Sequence, residues 1–307
     1  MDFSILINKM IVFVVLMLVG YVLAKRGTLS PAFTRTASWL TINVFMCATI
    51  VNSGLSANLT LTAGEFGKLV LVVFVMQLIG YLIAALLTRL TPLGRDRGPE
   101  FELLMSMGNS MFIALPIVDA LFGPVAVFYV SLSCIPFNVL LYTYGVLRLK
   151  SGQRDRSLHP KDIISPPLIA TLISLLLIVF QPPMPTAIRS VISSMNGATM
   201  PLSMIVIGAS LGGVSLLDAF KNGKLYLASA VRLLLIPVLT WLICRFLTAD
   251  PVLLLTMVIV AACPSAVVVT VLCVQYGRDS VYTAEGTLQN TVFSMLTIPL
   301  IVWLLGR

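Results

Sequence analysis

Charged residues are scarce in this sequence. Asp, Glu, Lys and Arg make up 10% of its 307 residues, whereas 58% are hydrophobic and the mean hydropathy is +1.02. A soluble globular domain has about 25% charged residues, and a disordered chain combines low hydrophobicity with high charge. The composition therefore excludes a water-soluble enzyme and a disordered chain, and it indicates a protein that lies in a lipid bilayer.

Residues for metal or nucleophilic chemistry are equally few. The sequence has one histidine, His159, and five cysteines, which lie in apolar runs without the CxxC spacing of metal or redox sites. One histidine argues against a histidine metal centre and a Ser-His-Asp triad. The net charge is +8, but the basic residues are scattered between apolar runs, which argues against nucleic-acid binding. We therefore expect that the protein is not an enzyme and that it binds no metal, no cofactor and no nucleic acid.

Ten apolar runs have the length that a membrane helix needs, which is about 20 residues. We number these predicted spans one to ten in chain order: 4–24, 33–54, 66–89, 100–121, 124–148, 163–180, 186–212, 222–247, 251–275 and 280–305. Span one is too long and too apolar for a signal peptide and lacks a small-residue cleavage site. The sequence predicts an all-α membrane protein with ten transmembrane helices.

Most Lys and Arg residues lie in or beside the loops that follow the odd-numbered spans. Because basic loops face the cytoplasm, we expect both termini on the opposite side of the membrane. Residues 151–162 belong to the most polar stretch of the chain and are predicted to form a cytoplasmic linker. This linker separates a first repeat, 1–150, from a second repeat, 163–307.

Five spans in each half predict an inverted repeat, because an odd number of spans inserts the second half upside down. Weak internal similarity supports it. Pro31 at the start of span two matches Pro185 at the start of span seven, and spans five and ten carry Asn138 and Asn290 mid-span at nearly the same offset. Repeats of this kind occur in many secondary transporters.

Spans four and nine contain residues that interrupt a helix. Span four carries the stretch Gly-Asn-Ser at 108–110 and then Pro116, and span nine carries Pro264 and Ser265. Glycine is unfavourable in a helix interior, and proline removes a backbone hydrogen bond. Since an unsatisfied backbone group in lipid costs several kcal/mol, we expect two broken helices whose ends lie beside protein, water or a ligand.

Two broken helices that meet at the middle of the bilayer predict a site for a small organic anion. The N-terminus of a half-helix carries about half a positive charge and free N–H donors, which suit a carboxylate. The predicted substrate-binding residues lie at the breaks or carry amides that line the same cavity: Asn109, Ser110, Pro116, Pro264, Ser265, Asn138 and Asn290.

Two charged residues inside spans are candidates for ion coupling or for attracting charge. Glu285, one turn into span ten, is a candidate proton carrier or Na⁺ ligand; the alternative is a satisfied residue near the cytoplasmic end. Arg232, in span eight, is a candidate partner of Glu285 or attractant for the anion; the alternative is a structural arginine. Coupling to H⁺, to Na⁺ or to neither stays open.

Four segments resemble the auxin efflux carrier family. They are GNSMFIALPIVDALFG at 108–123, MPLSMIVIGASLGG at 200–213, VRLLLIPVL at 231–239 and ACPSAVVVTVLCVQYGRDSVYTAEGTLQNTVFSMLTIPL at 262–300. The resemblance extends over nearly the whole chain. It implies the 5+5 inverted repeat of plant PIN-FORMED carriers, with crossing spans four and nine and a fold like that of bile-acid/sodium symporters. It further implies a scaffold of spans one, two, six and seven, and a transport domain of spans three to five and eight to ten.

The resemblance also carries over to individual residues. Asn109 falls where the plant carriers have a substrate-contacting Asn, and Gly108 falls where they have a Pro. Pro264 matches the first Pro of their ninth-span motif, whereas Val269 stands in place of the second, and Cys47 replaces a Pro that is usual in span two. The short linker looks like that of bacterial members, which are associated with malonate, malate and similar carboxylates.

We therefore expect a secondary active or facilitated transporter of small organic anions that works by elevator-type alternating access in a bacterial inner membrane, with periplasmic termini. Its substrates would be mono- or dicarboxylates such as malonate or malate, or auxin-like acids. A homodimer through the scaffold is a further expectation. Two alternatives stay open: an Na⁺- or H⁺-coupled symporter of a larger amphipathic anion, and a membrane receptor that binds an organic anion without moving it.

Overall fold

The computed structural model describes residues 3–56, 63–91, 97–151, 164, 166–213 and 216–305. The predicted linker at 151–162 lies outside these residues, apart from Ser151. We number the described helices in chain order: α1 (Phe3–Lys25), α2 (Pro31–Ser56), α3 (Ala63–Leu90), α4 (Gly98–Ser106), α5 (Ser110–Phe122), α6 (Pro124–Leu149), α7 (Pro166–Phe180), α8 (Thr186–Leu211), α9 (Leu216–Lys221), α10 (Gly223–Leu247), α11 (Pro251–Ala262), α12 (Val267–Gln275) and α13 (Ser280–Leu305).

Local sequence sets the helix ends. Ser30 accepts a hydrogen bond of 3.1 Å from the N–H of Phe33, and Pro31 takes the first position of α2. Both features favour a helix start, since the hydroxyl satisfies a backbone donor and proline has none to satisfy. Asp250 accepts a backbone N–H at the start of α11 in the same way. Gly123, with φ of 72°, ends α5 in a conformation that other residues rarely adopt.

Six of the predicted spans are single helices that are long and apolar enough to cross a membrane, namely α2, α3, α6, α8, α10 and α13. Shorter apolar helical segments lie in spans one, four, six and nine, namely Ile11–Lys25, Ser110–Phe122, Pro166–Phe180 and Pro251–Ala262. The part of the chain that the structure describes contains no β-strand, so the predicted all-α class is confirmed and the chain is a multi-pass membrane protein. The ten-span inverted repeat stays a prediction.

Large apolar side chains are exposed along many of these helices. Leu86 on α3 is 58% exposed, Val179 on α7 is 65% exposed and Leu296 on α13 is 77% exposed. In water such a surface would favour association. In a bilayer it faces the lipid tails.

The chain divides into two compact units. The first unit consists of Met1–Val70, Met111–Cys134 and Ser165–Gly213, and the second consists of Leu71–Ser110, Ile135–Ile164 and Val214–Arg307. Helices α1, α2, α7 and α8 therefore belong wholly to the first unit, whereas α4 and α9 to α13 belong wholly to the second. The roles of scaffold and transport domain stay predictions.

Close helix packing holds the first unit together. Gly20 on α1 and Gly208 on α8 each lie against a backbone carbonyl of the opposite helix, so a methyl group at either position would overlap that carbonyl. Small residues let membrane helices approach in this way. Thr49 on α2 donates a hydrogen bond of 2.8 Å to Thr199 on α8.

The second unit has an apolar core that holds the gap between α4 and α5 in place. Tyr81, Leu103, Leu141 and Leu272 contribute to this core from α3, α4, α6 and α12. The hydroxyl of Tyr81 also lies 3.0 Å from the sulfur of Met107, the first residue after α4. The non-helical backbone beside it is thus packed against protein, as a break inside a membrane requires.

Candidate functional site

Spans four and nine are both broken, as the sequence predicts. Residues 107–109 separate α4 from α5, and residues 263–266 separate α11 from α12. The backbone is extended directly after α4 and at both ends of the second gap. We call these two gaps the crossing, because they lie side by side in the second unit.

The two gaps of the crossing pair as a short antiparallel bridge centred on Gly108 and Ser265. The N–H of Asn109 donates to the carbonyl of Pro264 at 2.8 Å, and a second bond of 2.9 Å runs across the pair in the opposite direction. Each break therefore supplies hydrogen-bond partners for backbone groups of the other break that have no partner within a helix. This mutual pairing stabilises extended backbone where lipid would make unsatisfied groups costly.

Arg232 lies beside the crossing with 3% of its surface exposed. Its Nε donates to the carbonyl of Cys263 at 2.8 Å, and Nη2 donates to that of Val260 at 3.2 Å. Its Nη1 lies 3.3 Å from the carbonyls of both Met105 and Ser106. Three of these acceptors lie in the last turns of α4 and α11, and the fourth, Cys263, is the first residue after α11. Carbonyl groups at the C-terminal end of a helix lack intrahelical donors.

Arg232 forms no ion pair with Glu285, one of the partners that the sequence suggests for it. The guanidinium uses Nε, Nη1 and Nη2 on backbone carbonyls, and the ion pairs formed by the described residues do not include these two side chains. The reason is geometric, because Arg232 lies on α10 against the broken helix ends, whereas Glu285 is half-buried near the start of α13. The contacts of Arg232 fit the alternative role, that of a structural arginine.

Ser265 and Asn290 form a buried polar pair next to the crossing. The hydroxyl of Ser265 donates to the carbonyl of Leu104 at 2.5 Å and accepts from the side-chain amide of Asn290 at 2.5 Å. On the same helix as Asn290, Gln289 accepts a bond of 3.0 Å from Ser229. The Oδ1 atom of Asn290 and the Nε2 atom of Gln289 are buried without a hydrogen-bond partner, which is uncommon for polar atoms in a protein interior.

The other predicted substrate-binding residues are distributed over both units. Asn109 and Ser110 are buried at the crossing, and Asn138 is buried on the part of α6 that belongs to the second unit. Pro116 lies in α5, in the first unit. The second unit thus gathers the crossing residues and Asn290, and their role in binding a substrate stays a prediction.

A small cavity lies beside the crossing within the second unit. Its volume is about 10 Å³, and its lining includes Gln77, Ser106, Ser110 and Arg232. A space of this size has room for about one water molecule. It is too small to enclose an organic anion.

A second polar cluster, built around Glu102, was not predicted. Glu102 is 1% exposed and accepts from Arg148 Nε at 3.0 Å, from Arg148 Nη2 at 2.6 Å and from the hydroxyl of Tyr144. With Thr88 and Arg89, these residues line an open cavity of about 410 Å³. An acidic residue inside a predicted span is rare, and that rarity is the signal by which the sequence could have revealed the cluster.

Comparison with known proteins identifies relatives over the full chain. The sequence model of a family described as "Membrane transport protein" matches residues 5–161 and 155–302. The chain is 27% identical over 310 residues to an uncharacterized transporter of Methanocaldococcus jannaschii, and the match covers 97% of this chain and 98% of that protein. It is 28% identical over 298 residues to an uncharacterized transporter of Methanothermobacter thermautotrophicus, with 93% and 94% covered.

Proposed function

Because the chain belongs to the auxin efflux carrier family of membrane transport proteins, we propose that it is a secondary transporter that moves small organic anions across a membrane. The observation that carries this proposal is the crossing. Broken helices that meet inside a membrane protein are the arrangement with which many secondary transporters hold their substrates.

The charges at the crossing favour an anion. Arg232 donates hydrogen bonds to the carbonyl groups at the C-terminal ends of α4 and α11. Its positive charge therefore offsets the partial negative charge of these helix ends. The nine-residue helix α12 begins at the crossing with Val267, and the N-terminus of a helix carries about half a positive charge. Asn109 and Ser110 add neutral polar groups. A carboxylate group suits such a site, since helix N-termini bind anions.

The size of the space limits how the anion binds. Because the cavity beside Arg232 holds only about 10 Å³, we propose that the carboxylate end of the substrate reaches the crossing while the rest of the molecule stays outside it. Mono- and dicarboxylates such as malonate or malate, and auxin-like acids, satisfy this requirement.

The two compact units support an elevator-type mechanism of alternating access. We propose that spans one, two, six and seven, whose helices α1, α2, α7 and α8 lie in the first unit, act as the scaffold. Spans three to five and eight to ten, which contain the crossing, would carry the substrate. The proposal includes the ten-span inverted repeat, both termini on the periplasmic side of a bacterial inner membrane, and a homodimer formed through the scaffold.

Transport by purified protein in liposomes tests the function. We expect malonate, malate or indole-3-acetate preloaded in the lumen to drive counterflow of the same labelled acid. An Asn109→Ala variant should lower uptake at limiting substrate by about tenfold, the effect of losing one or two hydrogen bonds to a charged group. Thr49→Ala, on the first unit, is the matched control and should transport normally.

The contrary outcomes separate the alternatives. A thermal shift with one of these acids but no counterflow would identify a receptor. Neither shift nor counterflow with any of the acids would overturn the proposal, and a response only to larger amphipathic anions would favour the symporter alternative. The proton role of Glu285 fails if Glu285→Gln leaves pH-dependent uptake intact.

A further inference from the structure

We propose that the open cavity beside Glu102 binds the phosphate group of an anionic phospholipid. We call it the Glu102 cavity; its volume is about 410 Å³, and it is lined by Thr88, Arg89, Glu102, Tyr144 and Arg148. All of these residues belong to the second unit. The proposal does not rest on the proposed function, because lipid binding is measured without any organic acid.

The Glu102 cavity lies where three helix ends meet. Arg89 is the last residue but one of α3, Arg148 is the last residue but one of α6, and Glu102 lies in the first half of α4. The basic residues at these helix ends predict that they lie on the cytoplasmic side of the membrane. Basic pockets between membrane helices on that side bind the headgroups of anionic lipids. The position of the cavity therefore suits a lipid phosphate.

The cavity keeps one positive charge after its ion pair is counted. Glu102 accepts from Nε and Nη2 of Arg148 at 3.0 and 2.6 Å, and the hydroxyl of Tyr144 donates to the same carboxylate. The ion pairs formed by the described residues do not include Arg89, which is exposed. Glu102 thus neutralises one arginine and leaves the charge of the other. Arginine donors match the oxygens of a phosphate group well.

A buried hydroxyl at the cavity also indicates a ligand. Thr88 is buried, and its Oγ1 atom has no hydrogen-bond partner among the described residues. A threonine in a helix can bond the carbonyl four residues earlier, as Thr143 does with Val139 on α6. A buried polar group without a partner is costly. A phosphate oxygen in the cavity would accept a hydrogen bond from Thr88 and remove this cost.

Apolar side chains beside the two arginines favour a lipid over a soluble phosphate compound. Leu86 and Leu90 flank Arg89 on α3, Leu147 precedes Arg148 on α6, and all three leucines are exposed. A phospholipid carries a phosphate at one end and acyl chains at the other, so it would contact both the arginines and these leucines. A soluble phosphate ester would leave the leucines uncovered.

The acid in the cavity favours an anionic lipid over a zwitterionic one. The ammonium group of phosphatidylcholine would need a negative partner. The carboxylate of Glu102 is already bonded to Arg148 and Tyr144. Phosphatidylglycerol adds only hydroxyl groups to its phosphate and needs no such partner. We therefore expect the cavity to bind phosphatidylglycerol in preference to phosphatidylcholine.

The first experiment measures the melting temperature of the native protein in a neutral detergent. We expect dioctanoyl phosphatidylglycerol to raise it in a saturable way, because a ligand that binds only the folded state stabilises that state. Dioctanoyl phosphatidylcholine, with the same acyl chains, should need concentrations about tenfold higher. Glycerol phosphate and inorganic phosphate test for a soluble ligand and should have no such effect. Equal stabilisation by phosphatidylcholine or by either soluble phosphate would overturn the inference.

The second experiment removes the unpaired charge. Arg89→Gln should raise the half-saturating concentration of dioctanoyl phosphatidylglycerol about tenfold, because it removes a charged hydrogen-bond donor. Arg26→Gln is the matched control, since Arg26 is exposed just after α1, in the first unit, and the change in charge is the same. It should bind the lipid as the native protein does. If both variants weaken binding equally, or if neither does, the inference is wrong.

The third experiment separates lipid binding from a structural role of the threonine. Because the hydroxyl of Thr88 has no partner among the described residues, Thr88→Val should melt without lipid at the same temperature as the native protein or slightly higher. Its half-saturating concentration of dioctanoyl phosphatidylglycerol should rise about fivefold, the effect of one lost hydrogen bond. A lower melting temperature without lipid, together with unchanged lipid binding, would contradict the proposed site.

Discussion

The two compact units satisfy their backbone polar groups in different ways. In the first unit, the continuous helices α1 and α8 pack closely at Gly20 and Gly208, and Thr49 on α2 donates a hydrogen bond to α8. In the second unit, two helices are broken, and the crossing and Arg232 supply partners for the backbone. In a regular helix the backbone groups bond to one another, so the side chains at a close contact between helices need only be small. At each break, polar groups are required at defined positions to bond the backbone.

The largest expected effect is in the second unit, at the ion pair of Arg148. Arg148→Met should cost about 3 kcal/mol of stability, because it leaves the buried Glu102 carboxylate without its cation. Lys221→Met is the control: its pair with Asp218 is exposed on both sides and should be worth less than about 1 kcal/mol. Denaturation in detergent measures both. Equal losses of stability in the two variants would show that the buried ion pair is worth no more than the exposed one.

The next effect concerns close packing in the first unit. Gly208→Ala should lose about 2 kcal/mol, because the new methyl group overlaps the backbone of Met17, which cannot move aside. Gly197→Ala in the same helix meets nothing within 4 Å and should gain about 0.5 kcal/mol from its better helix propensity. Thermal denaturation of the two variants provides the comparison. A Gly208→Ala protein as stable as the parent would contradict the packing described for α1 and α8.

The smallest expected effect on stability separates the units by function. Ser265→Ala and Thr199→Ala remove interhelical hydrogen bonds that are worth about 0.6 kcal/mol each in a membrane protein. Both variants should fold, but only Ser265→Ala, at the crossing, should weaken uptake of a carboxylate in liposomes. A similar loss of uptake in Thr199→Ala would mean that substrate binding is not confined to the second unit.

Much of the fold follows from the sequence, because the apolar runs are long and their ends are marked. Span ten, predicted at 280–305, has the same limits as α13, and span seven differs from α8 by one residue. The breaks were predictable as well, since Gly108 and Pro264 are poor helix residues inside otherwise apolar runs. Composition alone does not show which helices associate into each unit, because that depends on contacts between distant parts of the chain.

The candidate site was only partly predictable for the same reason. The polar residues of the breaks are visible in the sequence, yet the partners of Arg232 are not, because Met105 lies on α4 and Cys263 lies in the gap after α11. A charged residue inside a span suggests a carboxylate as its partner, and Glu285 is one of the partners that the sequence offers for Arg232. Broken helices offer a different partner, the carbonyl groups at their own ends.

A cation that is part of the chain cannot be left behind after transport, and this has a consequence for the energetics of the cycle. If Arg232 keeps its hydrogen bonds to the ends of the broken helices throughout, the loaded and the empty protein differ in charge only by the charge of the anion. If no proton accompanies the substrate, each turnover is electrogenic. A membrane potential would then act on the charge of the anion alone, and for a monovalent acid this contributes about 2.3 kcal/mol per 100 mV.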